Sequence, residues 1–461
     1  MQKVLITITQ AVTVKNVLRT DIAQAVLADP SVALRLLVQS EERAFHYNEE
    51  FALPRTSYTA FYRVPPGVIE KIFGFLKKYT LRTKTTDLRR RMLAHDTGRY
   101  ANFIGGVLLN RVCSIGPVRR AIRMLDRHLI RDPQAAELLC TEAPDLLVCT
   151  NLFDDVEISL LREAKRLGIK TVGFINSWDR LTARWTVRLL PDVMIVYNEA
   201  VKRDAMRHAD MPAERIVLTG IPQYDRYITE EPEPRETFFA KKGLNPAKKL
   251  VLVAPMGATF SDSDWELIDL LHQMIDEKKE VPDAEMLVRF QPNDFLDKEE
   301  IAKRPWLIYD LPGIRLGPER GGDWDMTYAD LRDLNSSLKH AAVLVTYTSS
   351  ISVDAAVVGT PVINIDFLLK PVKEWLKTPT FYYGTEHHSN AVATGGFRIV
   401  KSKAELLEWL LKYLAHPELD RERRELLSRE QYGPLQDGKA GERIAQAILQ
   451  TLPDVLHTGA L

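Results

Sequence analysis

Thr346, Thr348, Ser349 and Ser350 follow directly on the apolar run Ala341–Val345, and Asp354 stands four residues beyond Ser350. Hydroxyls and free N–H groups at a strand-to-helix turn can hold an anion, which the positive end of a following helix dipole also favours. A carboxylate in the first turns of that helix can accept hydrogen bonds from a diol such as a ribose. Helical character over Ser352–Val358 stops at Gly359-Thr360-Pro361. The spacing fits a phosphate-and-diol site, and it equally fits a plain helix cap in a buried α/β unit.

A second set of groups lies in the first half. Asp179, Asp155, Asp154 and Asp21 sit at or near predicted strand ends, where a carboxylate can take a proton from an attacking hydroxyl. Asp154 and Asp155 equally suit a helix start. Gln10, Lys15 and Asn16 follow the first predicted strand, and Asn176, Ser177 and Trp178 follow another, so both groups could meet an acceptor. Trp178 offers either a stacking face for a sugar or a wall of the site.

These groups need strands to position them. Val4–Thr9, Leu34–Val38, Leu146–Cys149, Thr171–Ile175, Val193–Val196 and Ile216–Leu218 are short apolar runs, with helical periodicity between most of them. That is the rhythm of a parallel sheet wrapped by helices, in which function collects at the carboxyl ends of strands. Residues 41–132 interrupt it with aromatic and basic character and predict a mostly helical insertion. Pro222, Pro232, Pro234 and Glu230-Glu231 break the periodicity again. A second set of strands follows, at Leu250–Val253, Met286–Phe290, Ile314–Leu316 and Ala341–Val345. The predicted organisation is α/β with two doubly wound domains: 1–220, a linker over 221–248, 249–440, and a terminal helix in 441–461 that crosses back to the first.

A chain of 461 residues is too long for one ordinary core. With 45% hydrophobic and 27% charged residues it has the composition of a globular protein. No stretch has the apolar length of a membrane span, and MQKVLITITQ runs straight into a strand pattern without the features of a signal peptide. Cys113, Cys140 and Cys149 leave one cysteine unpaired under any disulfide scheme, which suits a reducing cytoplasm. Net charge is zero, yet residues 71–131 hold fifteen Lys or Arg against three acids. Ile72, Phe73, Phe75 and Leu76 beside Lys77 and Lys78 add an amphipathic patch, so the expected partner is an anionic membrane surface at the inner face. No nucleic-acid module accompanies the charge, and no nucleic acid is expected.

DAAVVGTP, Asp354 to Pro361, resembles the acid-Ala-x-x-x-Gly-x-Pro donor element of GT-B glycosyltransferases. TSSISVDAA is similar to the corresponding segment of bacterial surface-polysaccharide transferases related to CDP-glycerol glycerophosphotransferases, and SWDRLTARWTVRLLPDVMIVYNEAVKRD, RIVLTGIPQYDRY and NVLRTDI resemble other parts of that group. The resemblance implies two facing doubly wound domains, with the carboxyl-terminal one holding a nucleotide-activated donor. Carried onto this chain, Thr348, Ser349 and Ser350 would hold phosphates, Asp354 the ribose and Gly257-Ala258-Thr259 the diphosphate, while Arg289 would neutralise the leaving phosphate. Enzymes of this fold work without a resident metal or other cofactor, and His387-His388 has no acidic cluster in the sequence around it.

Two departures bear on the donor. Gln291 stands in Arg289-Phe290-Gln291-Pro292 where those transferases often have His, and Tyr347 stands where they have Asp. The expected activity is therefore transfer of a sugar from a nucleotide sugar to a surface polysaccharide, such as capsule or lipopolysaccharide, or to a lipid-linked glycan precursor. Asp179 and Asp155 are the expected catalytic carboxylates. A nucleotide-sugar 2-epimerase of the same fold and a CDP-glycerol-type glycerophosphotransferase are the alternatives.

Overall fold

Val4, Ile6 and Ile8 of β1 (Gln2–Ile8) join one buried apolar cluster while Leu5 joins another. Leu146 and Val148 of β4 (Leu146–Cys149) alternate in the same way with Leu147 and Cys149. Strands buried on both faces read as continuous apolar runs, the mark of a parallel sheet covered by helices on each side. The computed structural model describes residues 1–63, 65–183, 185–292, 294, 296–316 and 324–453.

The chain divides into two compact units. Unit 1 comprises residues 1–83, 105–223 and 439–461. Its strands β1, β2 (Val32–Val38), β3 (Thr56–Ala60), β4, β5 (Lys170–Phe174), β6 (Val193–Val196) and β7 (Ile216–Leu218) form a seven-stranded sheet in the order β3-β2-β1-β4-β5-β6-β7. All pairings are parallel. The order reverses between β1 and β4, which opens a crevice at the carboxyl ends of those two strands. The helix Ala440–Thr451 packs Ile444, Ala445 and Ile448 into the core of this unit, and Arg443 donates to the Thr219 carbonyl at 2.7 Å.

Unit 2 comprises residues 84–104 and 224–438. Strands β8 (Lys249–Ala254), β9 (Ala284–Arg289) and β10 (Tyr309–Asp310) are followed by the antiparallel pair β11 (Ile314–Arg315) and β12 (Trp324–Asp325), then β13 (Ala341–Thr346), β14 (Val362–Ile365) and β15 (Arg398–Val400). The main sheet runs β10-β9-β8-β13-β14-β15 and reverses between β8 and β13.

Residues 41–132 hold, besides helices, the strand Thr56–Ala60, an edge strand whose positions are all half-buried, so its apolar alternation is faint. The whole insertion does not stay with unit 1. The helix Lys84–Thr97 belongs to unit 2, where Glu386 donates its backbone N–H to the Thr85 hydroxyl at 2.8 Å and Trp375 donates its own to Asp96 at 3.1 Å. Ile314 and Arg315 form a small ribbon rather than a sheet strand; the sheet edge is Tyr309–Asp310. Among the described residues no helix is long and apolar enough to cross a membrane.

Candidate active site

β13 ends at Thr346, whose hydroxyl donates to the Ala254 carbonyl of neighbouring β8 at 2.7 Å. Tyr347 turns inward and donates to the Ser263 carbonyl at 3.2 Å. Thr348 is buried, and among the described residues its hydroxyl finds no hydrogen-bond partner. Ser349 is half-buried and Ser350 exposed, immediately before the short helix Ile351–Val357. On adjacent β14, Asn364 lies opposite Thr346 and accepts from the Ser352 hydroxyl at 3.0 Å. Burying a polar group without a partner costs about 1–3 kcal/mol, so unpaired atoms at a strand-order reversal mark a place that a ligand can complete.

Asp354 is half-buried on that helix, and both its oxygens are engaged. Tyr227 donates to one at 2.6 Å and Tyr224 to the other at 3.2 Å. Each carboxylate oxygen has a second lone pair, so the tyrosines fix the group without exhausting it. Burial, then the Asp354 charge, pushes the Tyr227 hydroxyl well above the usual tyrosine range, which keeps it a donor. Tyr432 packs edge-on against Tyr224 and donates to Asp225 at 3.0 Å. The tyrosines come from GIPQYDRY, a motif whose sequence gave no hint of this contact.

Two of the expected donor-site groups already have protein partners. The backbone N–H groups of Gly257 and Ala258 do not face open space: Gly257 donates to Asp264 at 2.7 Å and Ala258 to Asp294 at 3.0 Å. Gly257 has φ +84°, and a Cβ there would collide with the Asp294 carboxylate. Two carboxylates thus line the Gly257-Ala258 turn, and Thr259 is half-buried beside it. The cation beside this loop is Lys377, which donates to the Ala258 carbonyl and, at 2.8 Å, to Asp262. Arg289 is likewise committed. Its guanidinium is buried and meets Asp310 at 2.6 Å, Asp333 at 3.0 Å and the Asp330 carbonyl at 3.0 Å. In this arrangement it ties β10 and the helix Tyr328–His340 to the end of β9.

In unit 1 the crevice between β1 and β4 gathers several of the expected groups. The Asn151 amide donates to the Gln10 side-chain oxygen at 3.1 Å, and Gln10 reaches Asp154 at 3.4 Å. Asp154 caps the helix Asp155–Leu167, accepting from the N–H groups of Val156 and Glu157. Asp155, expected as a catalytic carboxylate, is met by Lys77 at 2.9 Å and Arg188 at 3.6 Å. After β5, Arg180 donates to the Asn176 side-chain oxygen at 3.1 Å, and Ser177 donates to Asp179 at 2.6 Å. Asn16 and Asn176 are buried; among the described residues the Asn16 oxygen and the Asn176 nitrogen each lack a partner. Lys15, Trp178 and Asp179 are half-buried.

Glu157 was not legible as a site residue. It is fully buried beneath the crevice, accepting from the Thr9 hydroxyl at 2.7 Å and the Asn151 N–H at 2.8 Å. Burial, then the nearby Asp154 charge, raises it from 4.5 to about 8. The folded chain therefore keeps a proton that the unfolded chain releases, and stability falls as pH rises from about 4.5 to about 8, then levels. Glu157→Gln removes one such group, so its unfolding midpoint should decline less steeply over that range. Buried Asp264, raised to about 6, retains part of the slope. Thermal unfolding at several pH values checks this, and equal slopes in the two proteins would contradict it.

A sequence profile of the family described as CDP-Glycerol:Poly(glycerophosphate) glycerophosphotransferase matches residues 164–450, well over half of the chain. The chain belongs to that family. The match contains Asn176–Asp179, both tyrosines that hold Asp354, and the whole strand-end site of unit 2. No curated protein matches the sequence significantly.

Solved structures place this family member among two-domain proteins of GT-B type. A candidate UDP-N-acetylglucosamine 2-epimerase from Listeria monocytogenes aligns over 97% of this chain and 95% of its own at 13% identity, with a TM-score of 0.54. UDP-GlcNAc 2-epimerases from Methanocaldococcus jannaschii and Neisseria meningitidis align over 97% of this chain and 100% of their own. Their identities are 14% and 12% and their TM-scores 0.53 and 0.52. At such identities the likeness speaks for the fold alone.

Proposed function

We propose that this family member transfers a sugar from a nucleotide-activated donor to a surface polysaccharide or its lipid-linked precursor. The observation that carries the proposal is the Thr348 hydroxyl, buried and unpaired among the described residues, beside Ser349 and exposed Ser350 at the reversal point of the unit 2 sheet. Those hydroxyls meet the donor's phosphates, and Asp354, held by its two tyrosines, meets the ribose. Membership of the glycerophosphotransferase family supports a nucleotide-activated donor.

Gln291 and Tyr347 support a sugar rather than glycerophosphate as the group moved. Gln291 spends its amide on the Met256 carbonyl at 2.6 Å, and Tyr347 is wholly buried, so neither supplies the acid–base group found at these positions in similar transferases. Transfer requires the acceptor hydroxyl to lose a proton as its oxygen bonds to the anomeric carbon, while the sugar–phosphate bond breaks and charge collects on the departing diphosphate. Asp179 takes the proton in this scheme. Asn16, Asn176 and Gln10 orient the acceptor. No resident metal is part of the proposal.

Glycerophosphate transfer is the second reading, favoured by the family match itself. Incubating the purified chain with UDP-, GDP- and CDP-sugars and with CDP-glycerol, in the presence of a lipid-linked or polymeric acceptor, separates the readings. Release of a nucleoside diphosphate with sugar incorporated is expected, at a rate unaffected by EDTA. Release of CMP from CDP-glycerol would replace the sugar by glycerophosphate. Conversion of a UDP-sugar to its epimer without acceptor would make the chain an epimerase.

A further inference from the structure

A ring of hydrogen bonds in unit 1 starts and ends on Glu157. Its Oε2 accepts from the Asn151 N–H at 2.8 Å, and the Asn151 side-chain amide donates to Gln10 Oε1 at 3.1 Å. Gln10 Nε2 reaches Asp154 Oδ2 at 3.4 Å, and Asp154 Oδ1 accepts the Glu157 N–H at 3.4 Å. The ring joins the ends of β1 and β4 to the first turn of the helix Asp155–Leu167, at the strand-order reversal of this sheet. It also fixes the Gln10 amide, oxygen towards Asn151 and nitrogen towards Asp154.

Glu157 is not needed as a helix cap, because Asp154 already accepts from the N–H groups of Val156 and Glu157. Full burial disfavours the charge of a carboxyl. A glutamine of the same shape would accept from Asn151 and donate to the Thr9 hydroxyl without that cost. An acid where an amide would serve points to use of its proton.

The groups around Glu157 leave its proton to a simple choice. From β1 and β4 it meets the hydroxyls of Thr7, Thr9 and Thr150. The Cys149 thiol beside it is pushed well up by burial and then by the Glu157 charge. On its own helix, Asp154 lies in the ring, Asp155 turns to Lys77 and Arg188, and Lys165 is bound to Asp192 at 3.1 Å.

We infer that Glu157 is a positioning residue for the acceptor, holding Gln10 and Asn151 in this ring while uncharged and releasing them when it loses its proton. The inference rests on the reading of unit 1 as the acceptor side. Protonated, Glu157 donates to the Thr9 hydroxyl along the 2.7 Å line; ionised, it accepts instead. A second negative charge then joins that of Asp154, and their repulsion loads the long Gln10–Asp154 link. Burial, then the Asp154 charge, sets this change at about pH 8.

Hydrogen exchange without substrate tests the ring directly. After correction for intrinsic rates, exchange in peptides carrying Gln10–Leu18 and Asn151–Val156 should rise at least about threefold from about pD 7 to about pD 9.5 in the parent. It should stay level in Glu157→Gln, whose amide keeps the uncharged arrangement. Peptides of β8 and β13 should not distinguish the two proteins, which separates local release from general loosening. In the transfer assay, with the donor and acceptor that react, the parent's acceptor KM should climb about tenfold over that range while its donor KM stays level. Glu157→Gln should hold the low acceptor KM throughout. Equal exchange profiles in the two proteins, or an acceptor KM indifferent to pH in the parent, would overturn the inference. A parent that transfers nothing to any acceptor would sink the transfer reading instead, and the exchange profiles would then decide on Glu157 alone.

Discussion

Asp354→Ala should weaken binding of a nucleoside diphosphate by roughly 10- to 100-fold, the worth of a charge-assisted hydrogen bond to a ribose hydroxyl. It should also destabilise the folded chain. Tyr227 and Tyr224 are buried and donate to the two Asp354 oxygens at 2.6 and 3.2 Å. Removing the carboxylate leaves two donors without partners, at about 1–3 kcal/mol each where water cannot enter. The two effects separate in a second variant. Tyr227→Phe keeps the Asp354 charge and loses one positioning bond, so it should weaken nucleotide binding only a few-fold. A 2′,3′-dideoxynucleotide provides the remaining comparison: the parent chain should bind it less tightly than the ribonucleotide, and Asp354→Ala should bind the two alike. Titration calorimetry on the folded proteins reads all of these, and full affinity of Asp354→Ala for the ribonucleotide would remove Asp354 from the site.

Arg289→Ala should cost about 3–5 kcal/mol of stability, the usual penalty for stripping one partner from a buried ionic cluster. Arg289 bridges Asp310 and Asp333, and Lys242 also meets both, at 2.6 and 2.7 Å. Two cations thus hold two carboxylates on the sheet edge, and the lysine alone cannot compensate both. Arg289→Lys should recover only part of the loss, since one ammonium cannot replace the fork that reaches Asp310, Asp333 and the Asp330 carbonyl together. Urea unfolding measures the change, while the nucleotide affinity of folded Arg289→Ala should stay close to the parent value. Normal stability with lost nucleotide binding would return Arg289 to the leaving phosphate.

Strands buried on both faces were the most legible part of the sequence. Val4–Ile8 and Leu146–Cys149, like Leu250–Val253 and Ala341–Val345, are nearly uninterrupted apolar runs, and the structure places all of them in parallel sheets. Thr56–Ala60 escaped because an edge strand buries neither face fully. The path of Lys84–Thr97 into unit 2 was invisible because it depends on Thr85 and Asp96 meeting Glu386 and Trp375, residues about 300 positions away in sequence.

Residue type says where polar groups stand more readily than what they do. The structure has hydroxyls after β13 and amides after β1 and β5, at strand ends. Whether a charged group is free, however, depends on its partners, and partners come from elsewhere in the chain. Nothing in the sequence beside Arg289 and Asp155 points to Asp310, Asp333, Lys77 and Arg188, which the structure places next to them. Glu157 looks like a solvated residue in the first turn of a helix, yet it lies beneath the crevice with Thr9 and Asn151 bonded to it.

Hydrogen exchange followed by mass spectrometry, with and without saturating nucleoside diphosphate or its sugar, tests the central claim most directly. A ligand seated at the end of β13 should slow exchange in the peptide spanning Tyr347 to Val358 and in that carrying Tyr224 and Tyr227, through the bond each tyrosine makes to Asp354. Nucleotide binding that leaves both peptides unprotected would contradict the claim and place the donor elsewhere.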